Sequence, residues 1–318
     1  MDQAAIANVF LLCTVNVLFM IAGICLNSVV IISLWRSSQL RNKTCYFMIF
    51  VMSCFDLSAV VINHPLLMAS EIVRAFGDYD KLPGYITSFI VILSNAFSMA
   101  ALLTLNIERF LAVSYPFLHE RVVTKEKLMS FQAFLSFIAI GLVTLTFNKM
   151  VLSRHLLVAV YLPGFFIFFI CLNYKTFLVA NSKRKSIKVA PANEQKRKLP
   201  KLNLQTMSTC SLAVYCYLVC ASPEIIHSFF TLITTTDLSR TSDRIFCTWA
   251  VTFLTANSTF NCLILFWRNT VLRREGMKII KNIQSSWCCF QLAGRLGNTW
   301  LQETHLDQTS WTILQFYY

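Results

Sequence analysis

The sequence predicts an all-α membrane protein: a seven-transmembrane helix bundle with its N-terminus outside and a short amphipathic helix after the seventh span. Three observations predict it. The 318 residues are 56% hydrophobic and only 14% charged, where soluble domains carry about 25% charged residues. The apolar residues gather into seven runs of roughly the 20 residues that a spanning helix needs. Lys and Arg, which mark cytoplasmic loops, concentrate in alternate connections between those runs.

Taken in order, the runs cover about 6–35, 45–70, 85–110, 128–148, 155–180, 204–233 and 244–267. The first and sixth exceed the minimum, so tilt or protrusion is expected. The first is read as a retained span, because MDQAAIAN has neither a basic n-region nor a small-residue cleavage site. Lys149 and Arg154 separate the fourth and fifth spans, which hydropathy alone would fuse. Asn173 and Lys175 interrupt the far end of the fifth. No internal repeat of the transporter kind is present. After Trp267, RNTVLRREGMKIIKNI sets Val271, Leu272 and Ile279 against several basic residues, as an interfacial helix does. The expected organisation is a short extracellular N-terminus over 1–5, the bundle over 6–267, the amphipathic helix over 268–284 and a cytoplasmic tail over 285–318.

With the N-terminus outside, the inner loops and the tail hold 22 of the 28 Lys and Arg residues. The net charge of +13 then faces the anionic cytoplasmic leaflet, and the partner it implies is the lipid bilayer, not nucleic acid. The third inner loop, NSKRKSIKVAPANEQKRK, fits either charge anchoring or docking of an acidic partner.

Several ordered positions over about residues 8–284 carry short motifs. The first span has GICLNSVV, with Asn27 at the asparagine of G-N-x-x-V. The second has SCFDLSAVV, with Asp56 as an intramembrane aspartate. The third ends in Glu108-Arg109-Phe110, like D/E-R-Y, and LAVSYPF follows, like A-V-x-x-P. The sixth has VCASP, like C-W-x-P, with Pro223 at the hinge. The seventh has NSTFNCLILFWRN, like N-S-x-x-N-P-x-x-Y. In these spans and in this order the motifs resemble those of the rhodopsin-like (family A) G protein-coupled receptors. The chain also departs from the pattern. Ala221 replaces the Trp of the sixth span, and Cys262 and Leu265 replace the Pro and Tyr of the seventh. Gly84 stands where the third span normally begins with a disulfide-forming Cys, so the external disulfide is not expected.

The resemblance implies a switch at Glu108, Arg109 and Phe110, where a carboxylate restrains the guanidinium until a heterotrimeric G protein meets it. An arginine snorkelling at the membrane edge is the alternative. Asn203 falls where an acid often adds a second restraint, so weak restraint and measurable basal signalling are expected. By the same resemblance, Asp56 with Ser94, Ser98, Asn257, Ser258 and Asn261 forms a sodium pocket. Oxygen ligands around one carboxylate suit a hard cation; a protonated Asp56 in a packing network is the alternative.

Glu224 directly follows Pro223, which bends the helix and frees a carbonyl. An acid at that depth faces a cavity or a partner. It is a candidate contact for a cationic ligand group; a water-exposed glutamate pairing with His227 or His64 is the alternative. Helical spacing places Val91, Asn95, Tyr161 and Thr255 at similar depth, and His64 precedes the helix-bending Pro65. Amine receptors carry an aspartate at the Val91 position, so a standard amine mode is not expected. Opsins carry the retinal lysine at the Thr255 position, and no lysine lies between 202 and 277; retinal is therefore disfavoured. Cys288 and Cys289 suit palmitoylation or remain cytosolic thiols.

No phosphate loop, H-E-x-x-H or G-x-S-x-G motif is present. The five histidines show no metal-ligand spacing along the chain. The expected function is therefore a plasma-membrane receptor, not an enzyme, that takes a small molecule or short peptide and drives a G protein. An ion-conducting or transporting seven-helix protein is the alternative, compatible with intramembrane Asp56 and Glu224.

Overall fold

The structure, a computed structural model, describes residues 3–76, 81–148, 151–189, 194–233, 240–282 and 284–285. Among the described residues the regular elements are all helical. They are α1 (Gln3–Arg36), α2 (Ser38–Arg41), α3 (Thr44–Phe76), α4 (Lys81–Ser114), α5 (Pro116–Val122), α6 (Lys125–Asn148), α7 (Val151–Val189), α8 (Glu194–Ile233) and α9 (Arg240–Arg268). A last helix, α10, occupies 270–282. Seven of them are long and apolar enough to cross a membrane: Ile6–Arg36, Thr44–Phe76, Ile86–Ser114, Lys125–Leu145, Val158–Ser182, Thr209–Ile233 and Ile245–Arg268. Helices are the expected solution, because a spanning segment in lipid must satisfy its backbone internally. Spans two and three run past their expected ends, so Glu71 and Arg74 lie on α3 as an i,i+3 ion pair. The chain divides into two compact units, Met1–Arg273 and Arg274–Tyr318.

Local sequence sets the breaks. Tyr115 precedes Pro116 and leaves the helical region, with φ −132° and ψ 66°. A residue before proline is sterically pushed that way. Pro116 then opens α5 at its first turn, where its missing N–H costs nothing. At α10 the start is a side-chain cap: Asn269 Oδ1 accepts from the Leu272 N–H at 3.1 Å and from the Tyr46 hydroxyl at 3.3 Å.

Within the first unit α4 is central, packing against α3, α6, α7, α8 and α9. α1 packs on α3 and α9, and α7 on α8. The apolar core joins Val30, Met48, Ile49, Met52, Leu102, Leu105, Phe169, Tyr217 and Leu265. Large apolar side chains such as Phe10, Phe137, Ile167 and Val219 point outward, which hydrocarbon tolerates.

With lipid as solvent, apolar burial does little to bring helices together, so close packing and interhelical hydrogen bonds contribute more. Gly23 marks a close approach. A Cβ there would stand 2.6 Å from Thr259 Oγ1 and 2.8 Å from a Val60 methyl. Polar clasps tie other pairs. Asn27 donates to Gly23 O at 2.9 Å and to Ser258 O on α9 at 3.4 Å. Thr104 donates to Gln132 at 2.9 Å, joining α4 to α6. Ser211 donates to Asn173 at 2.7 Å, joining α8 to α7. The asparagine that interrupts the fifth apolar run is thus a helix–helix contact.

Candidate functional site

Among the described residues three carboxylates are buried in the spans, each in a different setting. Glu108, at the C-terminal end of α4, is fully buried, and Arg109 is 7% exposed. The Arg109 guanidinium grips Glu108 through Nε and NH2. Thr44 Oγ1 of α3 donates to Glu108 Oε1 at 2.8 Å, and His119 Nε2 of α5 lies 2.9 Å from the same oxygen. Phe110 packs edge-on to Tyr115, with centroids 6.0 Å apart. One carboxylate therefore gathers an arginine, a hydroxyl and an imidazole from three helices. Thr44 and His119 were not legible as partners, since they lie 64 and 11 positions from Glu108. The Asn203 side chain lies outside the described ones.

Asp56 sits in the middle of α3 at 1% exposure. The Ser98 hydroxyl donates to its Oδ1. Ser258 and Asn261 of α9 stand beside the same carboxylate. Their own side-chain polar atoms, and both amide atoms of Asn257, meet no partner in hydrogen-bond geometry among the described residues. Ser94 departs from the expected set. It donates to Asn63 Oδ1 at 2.7 Å and back to its own helix at Ile90 O. The reason is register: Asn63 lies two helical turns along α3 from Asp56, and Ser94 one turn along α4 from Ser98. Buried amides without protein partners fit a small guest that brings its own oxygens or takes theirs, water or a hard cation.

Glu224 lies on α8 directly after Pro223 and is 5% exposed, as is His227 one turn on. It is not a water-exposed acid. A carboxylate oxygen of Glu224, a ring nitrogen of His227 and the Cys247 sulfur of α9 all lie within 4.8 Å of one another. His155 of α7 stands edge-on to His227, with centroids 5.5 Å apart. Phe246 covers another side of His227 at 5.7 Å. Cys247 and His155 carried no signal along the chain, because they lie on other helices. Of the two histidines offered for Glu224, His227 is near and His64 is engaged elsewhere. His64 Nδ1 meets Asn16 Oδ1 at 2.7 Å, and its ring stacks on Phe19.

The remaining candidates are buried or half-buried on three spans. Asn95 Nδ2 and Thr255 Oγ1 both turn to carbonyls four residues back in their own helices, at 2.9 Å. The Asn95 Oδ1 meets no partner among the described residues. Val91 is buried, and Tyr161 packs against Phe165. Cys288 and Cys289 lie outside the described residues.

The Glu108 and Glu224 centres lie far apart. Glu108 bonds Thr44 at the start of α3, whereas Thr248, next to Cys247, donates to Glu71 near its end at 3.1 Å. Thr44 and Glu71 are 27 residues apart on α3, about 40 Å along its axis.

No curated protein sequence matches the chain. A family model does: the one described as the 7 transmembrane receptor (rhodopsin family) matches residues 26–155. That segment takes in Asn27, Asp56 and the Glu108–Arg109 pair, and it lies on a frame of seven spans. Over residues 26–155 the chain is similar to the rhodopsin family of seven-transmembrane receptors.

Proposed function

We propose that this receptor lies in the plasma membrane with its N-terminus outside, takes a small molecule or short peptide in the outer part of the bundle and activates a heterotrimeric G protein. The observation that carries the reading is the buried Glu108–Arg109 pair. A buried ion pair is a poor source of net stability, but breaking it is costly. Such a pair suits a latch. Held, Arg109 is neutralised within the protein; released, it presents a cation at the mouth of the bundle. Thr44 and His119 hold the carboxylate in place and support the restrained state.

Activation would be a population shift, with ligand binding the active arrangement better than the resting one. Pro223 is the hinge we assign, because its missing N–H weakens α8 between the Arg109 end and Glu224. Glu224 and His227 are the ligand contacts, with Val91, Asn95, Tyr161, Thr255 and His64 on the surrounding helices. Asp56, Ser98, Ser258, Asn257 and Asn261 would hold a sodium ion that favours the resting state, with Ser94 acting only through Asn63. Palmitoylation of Cys288 and Cys289 would anchor the tail.

The test is ligand-free G protein activation in cells, comparing wild type with Arg109→Ala at equal surface expression. The reading expects a basal signal that the substitution removes. A signal of equal size in both would overturn the role of Arg109. Ligand-driven current without G protein activation would favour an ion-conducting protein instead.

A further inference from the structure

We propose that Glu224, His227 and Cys247 form a binding site for a divalent transition-metal cation, Zn²⁺ above all, that ties α8 to α9.

The ligand chemistry is mixed. One carboxylate oxygen, one imidazole nitrogen and one sulfur come together within 4.8 Å of one another. Zn²⁺ takes all three, at about 2.0–2.2 Å for oxygen, 2.0–2.1 Å for nitrogen and 2.3 Å for sulfur. Ligands on a tetrahedral ion then stand roughly 3.3–3.8 Å apart, so closing onto the metal requires shifts of about 1 Å, within reach of side-chain rotation. The sulfur argues against Ca²⁺ and Mg²⁺, which select oxygen. Glu224 and His227 share one face of α8 by their i,i+3 spacing, and Cys247 faces them from the neighbouring helix. Both α8 ligands are buried. His155 stands beside His227 from α7, with its Nδ1 3.5 Å from the Ser228 hydroxyl.

Glu224 is buried and Cys247 half-buried beside it. As metal ligands both would bind the ion directly, and the thiol proton would pass to solvent as the thiolate binds. The site bridges α8, on the C-terminal side of Pro223, with the start of α9. An ion there would restrict how those two segments move apart. That consequence rests on the receptor reading, while metal binding itself does not.

The test is Co²⁺ titration of the full-length chain, purified in detergent and stripped with chelator. The expected result is one Co²⁺ per chain with tetrahedral visible bands and a sulfur-to-cobalt charge-transfer band. Equimolar Zn²⁺ should displace it, and millimolar Ca²⁺ or Mg²⁺ should not. Cys247→Ser should abolish the charge-transfer band. Glu224→Gln, which keeps the shape, should weaken binding by more than the roughly 10–100-fold that loss of an outer-shell partner costs. Absence of the bands in wild type would overturn the proposal, as would bands of equal strength in both variants. If Cys247→Ser does not fold, wild type and Glu224→Gln decide. Because the readout is metal binding, its failure leaves the receptor reading intact, and a silent G protein assay leaves the metal site intact.

Discussion

Glu108 and Asp56 are both buried carboxylates of the bundle, yet they are satisfied in opposite ways. Glu108 is surrounded by donors that belong to the protein: Arg109, Thr44 and His119. Among the described residues Asp56 accepts from the Ser98 hydroxyl and stands beside Ser258 and Asn261, and the amides of Asn257 and Asn261 meet no other protein partner in hydrogen-bond geometry. Burial of a charge is expensive unless it is paired and hydrogen-bonded. The first centre takes its donors from within the chain, as the proposed latch requires. The second is the centre to which the sodium proposal applies.

The comparison breaks if either centre responds like the other. The largest expected effect is Glu108→Gln. It leaves the Arg109 charge buried without its carboxylate, a change of about 3–5 kcal/mol for a broken buried pair. The expected outcome is a several-degree fall in melting temperature in detergent together with raised ligand-free G protein activation. No change in either would sink the latch.

His119→Ala comes next. It removes one of the partners of Glu108 but leaves Arg109 and Thr44, so a loss of about 1–3 kcal/mol is expected. Basal activation should rise, by less than in Glu108→Gln, with ligand affinity at the far end changing in the same direction as for Glu108→Gln. If basal activation falls instead, His119 serves the active state.

Asp56→Asn has the smallest expected effect on bare stability, under about 1 kcal/mol, because among the described residues no cationic side chain pairs with Asp56 and the amide keeps an acceptor for Ser98. Its effect lies in ion response. Wild type should melt higher in sodium chloride than in choline chloride at equal ionic strength, and Asp56→Asn should melt equally in both. A wild-type melting point indifferent to sodium would favour water, or a protonated Asp56, in that place.

Much of the frame was legible along the chain. Seven apolar runs matched seven spans to within a few residues at most ends, because in lipid the backbone has few alternatives to a helix. The pairing of Glu108 with Arg109 was legible because the two are adjacent. Asp56 was legible as a carboxylate where an apolar run should tolerate none. The partners were not. Thr44 and His119 reach Glu108, Asn63 captures Ser94, and Cys247 meets Glu224, each across a helix–helix boundary. Hydropathy says that a helix spans, but not how it is rotated about its axis.

The sequence by itself determined the seven spanning helices, the amphipathic helix after the seventh, and which residues would be costly to bury. Those follow from local sterics and from the transfer of single residues out of water. The tertiary structure alone decided which carboxylate met an arginine, a hydroxyl and an imidazole, which met the Ser98 hydroxyl and which met a thiol. Those outcomes depend on helix rotation and on close approaches such as the one at Gly23, where the absence of a Cβ lets α1 reach α3 and α9.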